Sequence, residues 1–228
     1  MAQANRLAGV AGRALRTLFA ALLLVRRPRP IHARGRMLRG ELVWLGTPVR
    51  SGIQWIDEPA PGPVELTARL SRSIGLPAPL PDVIGLALRL EADGRPADIE
   101  LASTGFGPAT RFALLAHRSP SSARLGTLLP YRSDLGPLLL CARTVSEPLP
   151  SGGSALDEAL RRAPWRLRLS FAHGRGLWHP FADLSLALVD PQPIDDLRFD
   201  AVRRALPGAG TYAWVRALRQ PSYHLAQD

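Results

Sequence analysis

Between Glu41 and Val189 the chain is a succession of short runs in which apolar and polar residues alternate, with glycine and proline between them. Val64–Ser71 is the clearest. Val64, Leu66, Ala68 and Leu70 fall on one face, and Glu65, Thr67, Arg69 and Ser71 on the other, the period of two that a half-buried strand requires. Gly85–Leu90 repeats the pattern with Leu86, Leu88 and Leu90. Glu41–Leu45, Ile99–Ala102, Arg111–His117, Pro137–Arg143, Trp165–Ala172 and Ala182–Val189 complete a set of eight predicted strands. Eight strands with turn signals between them predict a closed antiparallel barrel. Two insertions break the rhythm: a proline-rich loop over Ser71–Asp82, and a Gly-Ser turn followed by a predicted helix from Ala155 to Arg162.

The two ends follow a different period. Leu7, Ala11, Leu15, Leu18, Leu22 and Val25 recur at helical spacing, with Arg6, Arg13 and Arg16 largely on the other side. The longest uncharged run, Thr17–Val25, is nine residues, too short to span a bilayer. No small-x-small cleavage site follows it, so a secretory signal is not expected. The segment predicts a helix that docks on its own domain or on a partner subunit. A basic amphipathic helix in peripheral contact with a membrane surface is the alternative. Arg26–Pro30 stops the helix. At the other end Asp190-Pro191-Gln192-Pro193 closes the strand series, and Phe199–Leu206 and Thr211–Leu218 predict two short helices around a Pro207–Gly210 break. The predicted organisation is a helix over 1–27, a barrel over 28–190 and a helical segment over 191–228, in an α+β, mainly β, fold.

Composition narrows the function classes. At 228 residues and 46% apolar, the chain suits one domain with a real core. Net charge is +10 and every basic residue is arginine, as a GC-rich genome gives. The arginines are spread along the chain and aromatics are 6%, so nucleic-acid binding is not expected. Cys141 is the single cysteine, in an apolar strand, which predicts a buried, inert thiol and agrees with a cytoplasmic location. The five histidines show no metal-hydrolase spacing, although His173 and His179 flank a Gly-Arg-Gly turn. No G-x-S-x-G serine is present, which leaves a phosphodiesterase-type hydrolase without a motif.

Four residues near the ends carry candidate chemistry. Arg219 precedes Tyr223 by four positions, which places both on one side of a helical or turn segment. A free tyrosine has a pKa of about 10. A guanidinium about 4 Å away supplies up to ~4 kcal/mol toward the phenolate. Phenolate is one of the few protein ligands used for haem iron. His32, three residues after Arg29 and beside Gly35, has the near-neutral imidazole that a proton-shuttling step needs.

Taken together, these residues resemble the haem pocket of the catalase superfamily. Arg29-Pro30-Ile31-His32-Ala33-Arg34-Gly35 is similar to its distal R-x-x-H-A-[KR]-G, and Arg219–Tyr223 to its proximal R-x-x-x-Y. Ala68-Arg69-Leu70-Ser71 resembles V-R-F-S, and Asp82–Leu90 fits D-x-x-G-[FL]-A-[LVI]-[KR]-[FL]. Gly94–Ile99 is similar to the element leading to the distal asparagine, and Leu197–Asp200 with Pro207-Gly208 to the segment before the proximal helix. The resemblance covers roughly residues 26–117 and 195–225.

The resemblance implies a catalase-type barrel binding haem b and acting on hydrogen peroxide or an organic or lipid hydroperoxide. It implies His32 as distal acid–base, Ser71 beside it, Arg29 and Arg69 on the haem propionates, Tyr223 as the iron ligand, Arg219 tuning it, and Phe112 near the porphyrin. The family's distal asparagine falls on Ala102 or Ser103, and Ser103 is the candidate catalytic hydroxyl there. A hydroxyl lacks the amide's reach, and the family's further arginine beyond the proximal tyrosine has no counterpart before Asp228. A barrel that has lost haem and binds an apolar ligand is therefore the alternative. A homo-oligomer is compatible with either.

Overall fold

The computed structural model of the protein describes residues 34–192 and 197–216. The expectations for residues 1–27, Arg29, His32, Arg219 and Tyr223 lie outside them. Ten strands form one antiparallel sheet: β1 (Arg34–Trp44), β2 (Val64–Arg72), β3 (Ile84–Ala92), β4 (Arg95–Thr104), β5 (Arg124–Gly126), β6 (Tyr131–Ser133), β7 (Gly136–Thr144), β8 (Trp165–His173), β9 (His179–Leu188) and β10 (Gly210–Thr211). β7 also pairs with β8, so the run β1-β2-β3-β4-β5-β7-β8-β9 closes on itself as an eight-stranded barrel. β6 and β10 extend beside the first half of β7.

The interior follows the period of two. Leu38 and Leu42 of β1, Leu66, Ala68 and Leu70 of β2, Leu86 and Leu88 of β3, and Ile99 of β4 meet Leu167, Leu169 and Phe171 of β8 and Phe181 and Leu184 of β9 in one core. Side chains fill it, as in other small barrels. A short helix α1 (Gln54–Asp57) adds Trp55 and Ile56. A longer helix α2 (Gly153–Arg162) sends Leu156 and Leu160 into the same core. Arg36, inward-pointing near the start of β1, meets α2 through an ion pair with Asp157 and donates to the Gly153 carbonyl at 3.1 Å.

Three sequence expectations are corrected. Arg111–His117 is not a wall strand. It opens with a 3₁₀ turn at Thr110–Phe112 and then makes only isolated bridges, Leu114 to Thr104 and His117 to Asp82. Arg111 is drawn inward, donating at 3.1 Å to the carbonyls of both Gly174 and Gly176, and its guanidinium lies 4.5 Å from the Trp178 ring centre. The eighth place in the wall goes to β5, three residues long. Phe199–Leu206 is not a helix. The Asp200 carboxylate accepts from the amides of Val202 and Arg203, one turn closes from Arg204 to Asp200, and the Arg204 carbonyl then accepts from Asp98 N at 2.7 Å. Pro207 denies Leu206 a helical conformation. Strand β1 begins at Arg34, seven residues before its predicted start at Glu41.

Among the described residues no helix is long and apolar enough to cross a membrane.

Candidate functional site on the outer wall

The outward faces of β1 to β4 form rows set by strand register. One row reads Gly35, Ser71, Gly85, Ala102, and the next reads Met37, Arg69, Ala87, Glu100. The first row consists entirely of small side chains, so it is a shallow, flat strip.

Arg69 borders that strip. It is only 8% exposed although it faces out of the barrel. Its head group leans over β1: a Cβ at Gly35 would stand 2.6 Å from Arg69 Nε and 2.8 Å from Cζ. Only glycine at 35 leaves the guanidinium this seat. Ser71, directly opposite Gly35, is buried and donates a long 3.5 Å bond to the Gly85 carbonyl.

A third row carries Arg89 opposite Asp98. Asp98 is fully buried and takes Arg89 through both oxygens at 2.7 Å, with Asp200 N at 2.7 Å and Arg204 at 3.4 Å. Arg89 also lies 5.0 Å from the Phe199 ring centre. This cluster fastens the 197–207 segment onto the outer wall beside the row that contains Arg69.

The structure therefore brings Arg69 and Ser71 together with Gly35, three residues after His32. It does not add Ser103 to them. Ser103 has the opposite parity on β4 and is fully buried, and its hydroxyl accepts from Ile84 N at 2.9 Å and donates to Leu115 O at 2.6 Å. Those bonds hold the wall together and leave the hydroxyl facing inward. Ala102 is the β4 residue on the site face, and it offers no hydrogen-bonding side chain. Phe112 lies in the turn after β4, with its ring exposed, and not on the strands that carry Arg69 and Ser71. Glu100 was missed: counting by twos from Asp98 places its carboxylate on the outer face, in the Arg69 row.

The residues present fit a flat group with carboxylate edges. A row without bulky side chains suits a planar face, and a guanidinium fork suits a carboxylate. Elsewhere, Cys141 is buried, and burial pushes its thiol up to about 12 despite Arg124, Arg111 and Arg143 nearby. His117 is held below its ordinary pKa by burial and then by the charge of Arg124. Among the described residues no group of three histidines, cysteines or carboxylates is placed to hold a metal ion.

No family model matches the chain. No curated protein matches it either. Solved structures do. A fungal catalase superposes with a TM-score of 0.61 at 10% identity, over 89% of this chain and 59% of its own. Catalase A from Saccharomyces cerevisiae gives 0.63 at 11% identity, over 91% of this chain and 62% of its own. The chain thus spans about three fifths of the length of these structures. At this identity the likeness concerns the fold, and the closed eight-stranded wall built from the alternating runs of the sequence is the barrel of the catalases.

Proposed function

We propose that the protein binds haem b against the outer wall of β1 to β4 and acts on hydrogen peroxide or, preferentially, on an organic or lipid hydroperoxide. The observation that carries this reading is the seat of Arg69 over Gly35, beside a row of small residues, in a chain with the catalase barrel and a histidine three positions before that glycine.

In this reading Arg69, with Arg29, holds the carboxylate edge of the cofactor. Tyr223 would supply a phenolate ligand to the iron, and Arg219 would stabilise its charge. Bound haem supplies the redox-active iron at which a peroxide bond is broken. His32 takes a proton from the proximal oxygen of the substrate and returns it to the departing one. Ser71 orients that imidazole. Ala102 offers no amide to orient hydrogen peroxide and frees space beside Ser71, which favours a bulkier hydroperoxide. The segment 1–27 is a docking element, on its own barrel or on a partner subunit of a homo-oligomer, and the buried Cys141 accords with a reducing cytoplasm.

The test is an absorbance spectrum of the full chain reconstituted with hemin. A Soret band that Tyr223→Phe removes, with hydroperoxide turnover that His32→Ala removes while haem stays, supports the reading. No band at any hemin concentration overturns it. A second reading, an apolar-ligand barrel without haem, would have to use the same outer wall, because Leu38, Leu42, Leu88, Phe171 and Phe181 fill the lumen with no exposure.

A further inference from the structure

Residues 106–116, leading out of β4, present Phe106, Phe112, Leu114 and Leu115 to solvent, together with Pro108, Ala109, Ala113 and Ala116. Arg111 is the only charged side chain of the segment, and it is turned inward and buried. Thr110 is the only exposed polar side chain. An exposed apolar surface of this continuity marks a contact site on a protein.

The display is held in place on both sides. Trp178 stacks on Phe106 with ring centres 5.5 Å apart and donates to its carbonyl at 2.9 Å. Arg111 ties the 3₁₀ turn to the carbonyls of Gly174 and Gly176. Leu115 N donates to Ser103 O at 2.9 Å. Next to Trp178, in the β8–β9 turn, Leu177 is 79% exposed.

Charge indicates what this flank meets. No carboxylate occurs between Leu101 and Ser133, where Arg118, Arg124 and Arg132 lie. None occurs between Ala159 and Ala182, where Arg175 stands two residues from Leu177. Apolar side chains bordered by arginines are the composition of a surface that enters the headgroup boundary of an anionic bilayer.

We propose that the 106–116 segment and the Leu177 turn form a docking face for an anionic lipid bilayer. This goes beyond the proposed haem chemistry and does not rest on it. The experiment is flotation of the full chain with vesicles of phosphatidylcholine alone and of phosphatidylcholine mixed with phosphatidylglycerol. Wild-type protein floats with the mixed vesicles, and its binding falls roughly tenfold on neutral vesicles or in high salt. A Leu114→Ser, Leu115→Ser, Leu177→Ser variant with unchanged circular dichroism loses roughly tenfold or more of that binding. Leu177→Ser alone, at a side chain 79% exposed, gives a smaller loss in the same direction and serves if the triple variant misfolds. Absence of binding to mixed vesicles overturns the proposal. So does a triple variant that floats like wild type, which assigns the contact to residues 1–27. A triple variant that only converts a dimer to a monomer in light scattering also overturns it, by naming a second copy as the occupant.

Discussion

Gly35 and Arg69 are diagonal neighbours on β1 and β2, so close that the added methyl of an alanine at 35 would stand 2.6 Å from the arginine's Nε. The conflict involves the far end of a flexible side chain, so the barrel can absorb it by letting the guanidinium swing away. Gly35→Ala is therefore expected to change stability by less than about 1 kcal/mol. It should nonetheless weaken hemin binding roughly tenfold, the worth of one well-placed charge-assisted bond. Hemin titration followed by absorbance, beside a thermal melt, separates the two effects.

Asp98 is a fully buried carboxylate of the wall, bonded to Arg89, Arg204 and the amide of Asp200. Removing it leaves the Arg89 guanidinium without its buried counter-charge and the 197–207 segment without its anchor. Asp98→Ala should cost about 3–5 kcal/mol in urea denaturation. Limited proteolysis of the variant should cut first within 197–207. A double-mutant cycle with Arg89→Ala should show strong coupling.

His117 provides a pH signature. Its pKa in the folded protein lies below the ordinary 6.5, because burial and Arg124 both disfavour the imidazolium. As pH falls from about 7 to 5, the unfolded chain takes up a proton at this residue before the folded one does, so stability drops. Stability is full above the unfolded pKa and declines as pH falls toward the folded one. His117→Gln should flatten that decline over the same interval, as read from denaturant midpoints at a series of pH values.

Cys141, with a thiol pushed up to about 12, carries almost no thiolate at neutral pH. A disulfide reagent should leave the native protein unlabelled and label it stoichiometrically once urea has opened the barrel. Fast labelling of the native state would show that β7 is not buried as described.

Much of the wall was legible in the sequence because alternation leaves a trace wherever one face meets the core. β2 is legible to within one residue and β3 to within two at each end for that reason, and the helix at Ala155–Arg162 within two residues of its start. β1 was read late because Arg34, Arg36 and Arg39 interrupt the apolar period, and nothing local says that Arg36 points inward to meet α2. β5 is too short to carry any period, while Arg111–His117 is apolar enough to imitate a strand that its buried arginine forbids. The helix expected at Phe199–Leu206 followed from charge order alone. Asp98, a hundred residues away, takes the backbone bonds that would have extended it. Motif spacing singled out Arg69 and Ser71, which strand register places on one outer face, and only strand parity separates Ala102, on that face, from Ser103, turned inward.

The closure of the wall at β5 makes it a hoop with one short stave. β4 and β7 are joined through ladders covering only Ala102–Thr104 and Cys141–Arg143, whereas β1 and β2 run together from Arg34 to Leu42 and from Val64 to Arg72. Ladder stabilisation accumulates pair by pair, so any load on the ring is carried least well there. The amides of Arg124–Gly126 are therefore expected to exchange with solvent before those of the longer ladders that bear Gly35, Arg69 and Ser71, which hydrogen exchange would read. The weakest seam of the shell thus lies three strands from Arg69, away from the strands that form the outer platform.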